Sequence, residues 1–172
     1  KYQFQFNSIQ NDYYFSKYNH IWGWASWANR WKFYDVEINN IKDSSFINNT
    51  FSNKSVISYW NKMYKKVKAN KVDTWDYQWT FTIWKNQGIS ILPKFDLVSN
   101  IGFGEDATHT SGSVNLTKEN YSLVVRKHPG KILVNVEADD YTFDNVFKKG
   151  SLLIRIFRLI KFYLNSNSNT KF

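Results

Sequence analysis

Three features of this sequence predict a mixed α/β fold. Helix-period apolar patterns occupy its middle, short aromatic or aliphatic runs closed by Pro or Gly lie on either side, and 42% of its residues are hydrophobic. Over 172 residues that is enough apolar material for one ordinary domain, or for one lobe of a larger one. We therefore expect short mixed strands packed with several helices in a lobe over residues 1–150. A basic amphipathic helix and tail should follow over residues 151–172.

Each element has its own signal. The opening residues Tyr2, Phe4 and Phe6 are already strand-like, so the chain reads as a piece of a longer protein. Residues 13–18 are bulky and aromatic, which favours an extended segment. Ser26 is suited to cap a helix over residues 27–34, where Trp27, Arg30, Trp31 and Tyr34 fall at helical spacing. Residues 39–53 are rich in Asn and Ser and read as a loop. Ser55 then opens a helix, with Val56, Trp60, Met63, Tyr64 and Val67 on one face and Lys62, Lys65, Lys66 and Lys68 on the other. A third helix starts at Asp73 or Thr74, carries Trp75, Trp79, Ile83 and Trp84, and stops before Gly88.

Beyond Gly88, residues 89–92 form a β-like run closed by Pro93, and residues 97–101 suggest a second. Residues 102–113 are a polar loop containing Gly and Ser. Strands are expected over residues 121–126 and 132–136, around a His128-Pro129-Gly130 turn, and Asp139-Asp140 should introduce a short helix. Residues 152–164 place Arg155, Arg158 and Lys161 three apart in an apolar setting. Packing of this helix on the lobe is the simpler expectation, and docking on an anionic membrane surface the alternative.

Composition excludes several functions. The chain has no Cys, which removes disulfides, thiolate metal sites and Cys nucleophiles. Its three His are scattered, which argues against a zinc cage. No Ser lies in a G-x-S-x-G elbow. The run 102–107 formally fits G-x-G-x-x-A, but Glu105 and Asp106 would face a pyrophosphate, so a dinucleotide loop is rejected. No apolar run approaches the roughly 20 residues of a spanning helix. The net charge of +9 favours an anionic partner: nucleic acid, a nucleotide diphosphate or a lipid headgroup. Nucleic acid is not the expected partner, because the Lys fall on several faces and no nucleic-acid motif is present.

What remains is a small set of chemistry-bearing residues. Eight Trp are unusual for this length. Trp31, Trp60 and Trp84 read as core, whereas Gly23 between Trp22 and Trp24 would let a backbone approach a ligand closely. Asp76 has two readings. It is either a first-turn carboxylate complementing the helix dipole, or a general base desolvated by Trp75 and Trp79 with a raised pKa. Glu105 and Asp106 beside His109 would suit a hard cation, or form a solvated acidic turn.

Two runs carry a family resemblance. The first is Tyr14-Phe15-Ser16-Lys17-Tyr18-x-His20-Ile21-Trp22-Gly23-Trp24-Ala25-Ser26-Trp27, followed by Arg30-Trp31 and Tyr34-Asp35. The second joins Pro93 to Leu97-Val98-Ser99-Asn100-Ile101-Gly102-Phe103-Gly104-Glu105-Asp106-Ala107-Thr108-His109-Thr110, with Lys127-His128-Pro129 matching more loosely. Over residues 13–141 these resemble the C-terminal half of a bacterial and viral, hemolysin-like family of nucleotide-sugar glycosyltransferases. A remoter similarity is to N-acetylglucosaminyltransferase I.

The resemblance implies the acceptor-side half of a GT-A fold, with transfer of a sugar from a nucleotide-sugar donor to an acceptor hydroxyl. It assigns Asp76 as catalytic base and Trp22, Gly23, Trp24, Trp75, Glu105 and Asp106 to the substrate. His109 is assigned to a Mn²⁺ or Mg²⁺ ion or the diphosphate. Tyr77 stands where the related segment has a second acid. The family's Glu-Asp-Asp donor motif is absent here, and Asp139-Asp140 follow the His loop in the wrong order. An upstream nucleotide-binding lobe is thus an implied partner, a cytoplasmic and membrane-peripheral location is implied, and an uncovered lobe face would favour a dimer. A non-enzymatic carbohydrate-binding module using exposed Trp is the alternative.

Overall fold

The computed structural model describes residues 9–98 and 122–148. Their order is strand β1 (Tyr13–Ser16), helices α1 (Ala28–Trp31), α2 (Ser45–Thr50), α3 (Lys54–Lys68) and α4 (Asp76–Lys85), strand β2 (Ser90–Pro93) and helix α5 (Val136–Thr142). A π-helical turn (Phe143–Phe147) continues α5. This is the mixed α/β class expected.

The sheet is small. β1 and β2 pair antiparallel, with Tyr13 opposite Pro93 and Ser16 opposite Ser90. The other edge of β1 is taken by a later stretch of chain. Phe15 forms a parallel bridge to Val134, and the Asn135 N–H donates to the Phe15 carbonyl at 2.8 Å. A buried carboxylate ties this edge to α5, because Asp139 accepts from Ser16 Oγ at 2.5 Å and from the Lys17 N–H at 3.1 Å. Burial pushes the Asp139 carboxyl up to about 6, against the opposing pull of those two bonds.

The main core lies between α2, α3 and α4. Val56, Trp60, Tyr64 and Val67 line one face of α3, and Phe81 and Trp84 come from α4. The Trp60 and Trp84 rings meet edge to face with centroids 4.8 Å apart. Tyr18, just beyond β1, inserts among Phe51, Trp60 and Trp84. Trp84 Nε1 donates to the Lys17 carbonyl at 2.6 Å, which pins the chain leaving β1 onto α4.

Several expectations need correction. The helix over residues 27–34 is only the four residues of α1, and its Trp31 is 38% exposed rather than core. The Asn- and Ser-rich stretch holds α2, whose Phe46 and Ile47 are buried. Ser55 lies inside α3, and Asn53 is the cap, accepting from the Ser55 N–H at 2.9 Å. α4 begins at Asp76, later than expected.

Residues 122–126 are irregular where a strand was expected, and residues 132–136 supply only the bridge at Val134. The Arg126 N–H donates to Asp12, as described below, instead of to a ladder. Asp139-Asp140 lie within α5, which Asn135 caps by accepting from the Ala138 N–H. Leu97 and Val98 have no regular structure. The expectations for residues 1–8, 99–121 and 151–172 lie outside the described residues.

Candidate functional site

The N-terminal end of α4 and the irregular chain after β1 together build a wall of indoles. Trp75 occupies the cap position of α4 and is 40% exposed. Trp24, 37% exposed, lies with its ring centroid 5.3 Å from Trp31 and 5.5 Å from Trp75. Trp79 is buried behind them, 4.9 Å from Trp31 and 6.2 Å from Trp24. Tyr34 closes the group by stacking on Trp31 at 4.5 Å, with the planes only 8° apart. Its hydroxyl donates to the Trp75 carbonyl at 3.3 Å. Trp79 thus backs a surface on which the other indoles are partly exposed.

Asp76 stands at the edge of this wall, directly after Trp75 and half-buried. Its Oδ1 accepts from the Thr74 hydroxyl and from the Tyr77 N–H, the latter at 2.9 Å. Among the described residues its Oδ2 has no such bond, so one carboxylate oxygen orients the group and the other is available. The nearby charge is felt by Tyr34, whose hydroxyl is pushed above its usual pKa by burial first and by Asp76 and Asp35 second. One turn along α4, Thr80 Oγ1 lies 2.7 Å from Asn19 Oδ1, which braces Asp76's helix against the chain leading to Trp22.

Gly23 joins the wall to a second segment. Its φ is +62°, and a Cβ built there would lie 2.3 Å from Val98 Cγ2. The group that comes close to Gly23 is therefore Val98, which leads into residues 99–121. Trp22 on the other side of this corner is 41% exposed. Glu105, Asp106 and His109 lie outside the described residues, as does the loop that carries them. Among the described residues no three His, Asp or Glu side chains gather as metal ligands.

Sequence reasoning named Trp22, Gly23, Trp24, Trp75 and Asp76, and the structure brings Trp24, Trp75 and Asp76 together. It did not single out Trp31 and Tyr34 as part of the same wall. Their spacing of three was visible, but a helical pattern does not say which face meets solvent. His20 was also passed over. The residue is half-buried with its Nε2 enclosed, and burial lowers its pKa while Asp96 pulls it upward.

The described residues thus define a mixed α/β chain with an indole wall and a carboxylate at its edge. No family model matches the chain, and neither the curated proteins nor the solved structures contain a match to it.

Proposed function

We propose that this chain is the acceptor-side catalytic lobe of an inverting glycosyltransferase. The observation that carries the reading is the position of Asp76, a fixed carboxylate at the edge of a cluster in which Trp24, Trp31 and Trp75 are each partly exposed. Aromatic faces stack against the C–H faces of sugar rings, and a sugar held there brings a hydroxyl within reach of the carboxylate.

In the reaction the acceptor oxygen forms a bond to the anomeric carbon of the donor. The bond from that carbon to the diphosphate oxygen breaks, and its electron pair leaves with the nucleotide diphosphate. The acceptor proton passes to Asp76 Oδ2, while the bonds from Thr74 and Tyr77 keep Oδ1 oriented. The family resemblance adds Glu105, Asp106 and His109 on the diphosphate side, with a Mn²⁺ or Mg²⁺ ion to neutralise the leaving charge. It adds an upstream lobe for the nucleotide.

The test is Asp76→Asn in the protein that carries this chain. Transfer from a nucleotide-sugar donor should fall at least about a hundredfold, with donor affinity nearly unchanged. Wild-type turnover by that variant removes Asp76 from the mechanism. A non-enzymatic carbohydrate-binding module is the second reading, favoured by the exposed indoles. It expects saccharides to change Trp fluorescence equally in wild type and Asp76→Asn, with no response to nucleotide or metal.

A further inference from the structure

Away from the indole wall, the chain over residues 122–134 makes an excursion beside the edge of β1 that does not pair with β2. Its composition is one-sided. It contains Arg126, Lys127 and Lys131 and no acidic residue. Its apolar side chains are turned outward: Val124 is 65% exposed, Ile132 73% and Leu133 68%, and Val125 is exposed as well. Large aliphatic side chains left in water on both arms of one turn are unfavourable unless something covers them.

The excursion is also held in place. Asp12 accepts from the Arg126 and Lys127 N–H groups at 2.6 and 2.7 Å, and its own N–H donates to the Lys127 carbonyl at 3.0 Å. These bonds keep the Asp12 carboxyl below its usual pKa, so this acid is charged and committed to backbone groups. The Tyr13 hydroxyl and His128 Nδ1 share a hydrogen bond of 3.1 Å at the turn. The returning arm is anchored by Asn135 on Phe15. Both arms are therefore presented by β1 as a fixed surface.

We propose that this turn is a docking surface for an anionic membrane. Clamped aliphatic side chains enter the headgroup–acyl boundary, and Arg126, Lys127 and Lys131 lie among the acidic headgroups. Charge complementarity selects this occupant. Three cations against the single acid Asp12 leave the surface positive and opposed to a second copy of itself, and its outward aliphatic side chains find an apolar layer at a membrane and not along a phosphate backbone. Among the described residues no helix is long and apolar enough to cross a membrane, so contact through this turn is interfacial. The proposal stands apart from the assignment of Asp76, and either can fail without the other.

The experiment is co-sedimentation of the full chain with phosphatidylcholine vesicles, with and without about one third phosphatidylglycerol. Binding is expected only to the anionic vesicles. The pair Ile132→Ser and Leu133→Ser should weaken it about tenfold or more, and Lys131→Gln about fivefold, as expected for one charge at such a surface. Unchanged circular dichroism and melting verify that the variants fold. Should the pair not fold, Ile132→Ser alone replaces it.

Absence of binding to anionic vesicles at low salt overturns the proposal. So does binding that the serine pair leaves unchanged, because another surface would then be responsible. A dimer in sedimentation equilibrium that the serine pair dissolves would also overturn it and assign the face to self-association.

Discussion

At Gly23 the backbone takes φ = +62° with Val98 pressed against the position a Cβ would fill. Two separate costs follow for any side chain there: left-handed strain of roughly 1–2 kcal/mol for an L residue, and overlap with a branched neighbour. Gly23→Ala should lower stability by about 2–3 kcal/mol in urea unfolding. Adding Val98→Ala should recover the steric share and leave the backbone share. A Gly23→Ala protein as stable as wild type would mean that the close approach is absent in solution. At this scale the sequence was informative where the chemistry of a residue is singular. A Gly between two Trp announces a close approach, although not what approaches. Trp60 and Trp84 were readable as core because their helices are long enough to define an inner face. Trp31 was not, because its four-residue helix is too short to define an inner face, and the ring meets Trp79 edge to face while staying 38% exposed.

Helices α3 and α4 were legible from their apolar spacing, and both end in the same way. The Asn70 N–H donates to the Val67 carbonyl and the Lys71 N–H to the Lys66 carbonyl. In α4, the Gln87 N–H donates to the Trp84 carbonyl and the Gly88 N–H to the Ile83 carbonyl. This double-bonded termination requires a left-handed residue at its centre. In α3 that residue is Asn70, a tolerant type, whereas in α4 it is Gln87 at φ = +54°, one position before the Gly expected to serve. Gln87→Gly should therefore raise stability by about 0.5–1 kcal/mol, read as a higher urea midpoint at unchanged slope. Loss of stability would show that the Gln87 side chain makes contacts worth more than the strain. α2 went unseen for a different reason. Its Asn and Ser are loop-forming by local propensity, and only burial of Phe46 and Ile47 against α3 and α4 outweighs that preference.

For the molecule as a whole, a buried carboxyl and a half-buried imidazole make stability depend on pH in opposite senses. The Asp139 carboxyl is raised from 3.8 to about 6 by burial, so the folded protein holds a proton that the unfolded chain has released between those values. Its contribution to stability is complete below about pH 4 and is lost as pH rises through about 6, a change of roughly 3 kcal/mol. His20 acts in the opposite sense. Burial lowers its pKa from 6.5, so its contribution is present above that value and is lost as pH falls below it. The two slopes are opposite in sign and meet in a window at about pH 6. Asp139→Asn should leave a protein that weakens on acidification in this window, and His20→Gln one that strengthens. Urea midpoints across the window read both. Parallel profiles for the two variants would remove at least one group from the balance. Neither group was readable from spacing, because burial of Asp139 depends on β1 and α5 meeting across more than a hundred residues.

That same meeting bears on how the chain comes to fold during synthesis. β1 is made before the partners of its second edge, Lys127, Val134, Asn135 and Asp139, which are separated from it by 115 residues or more in the bonds to Asp12 and Ser16. At ribosomal rates the wait is on the order of ten seconds, long compared with the formation of α3 or α4. Throughout it Tyr13, Tyr14 and Phe15 form an aromatic strand with a vacant hydrogen-bonding edge, the kind of edge that pairs with neighbouring chains. Yield of folded protein should thus depend on how quickly residues 122–139 emerge, more than on the helices that supply most of the core.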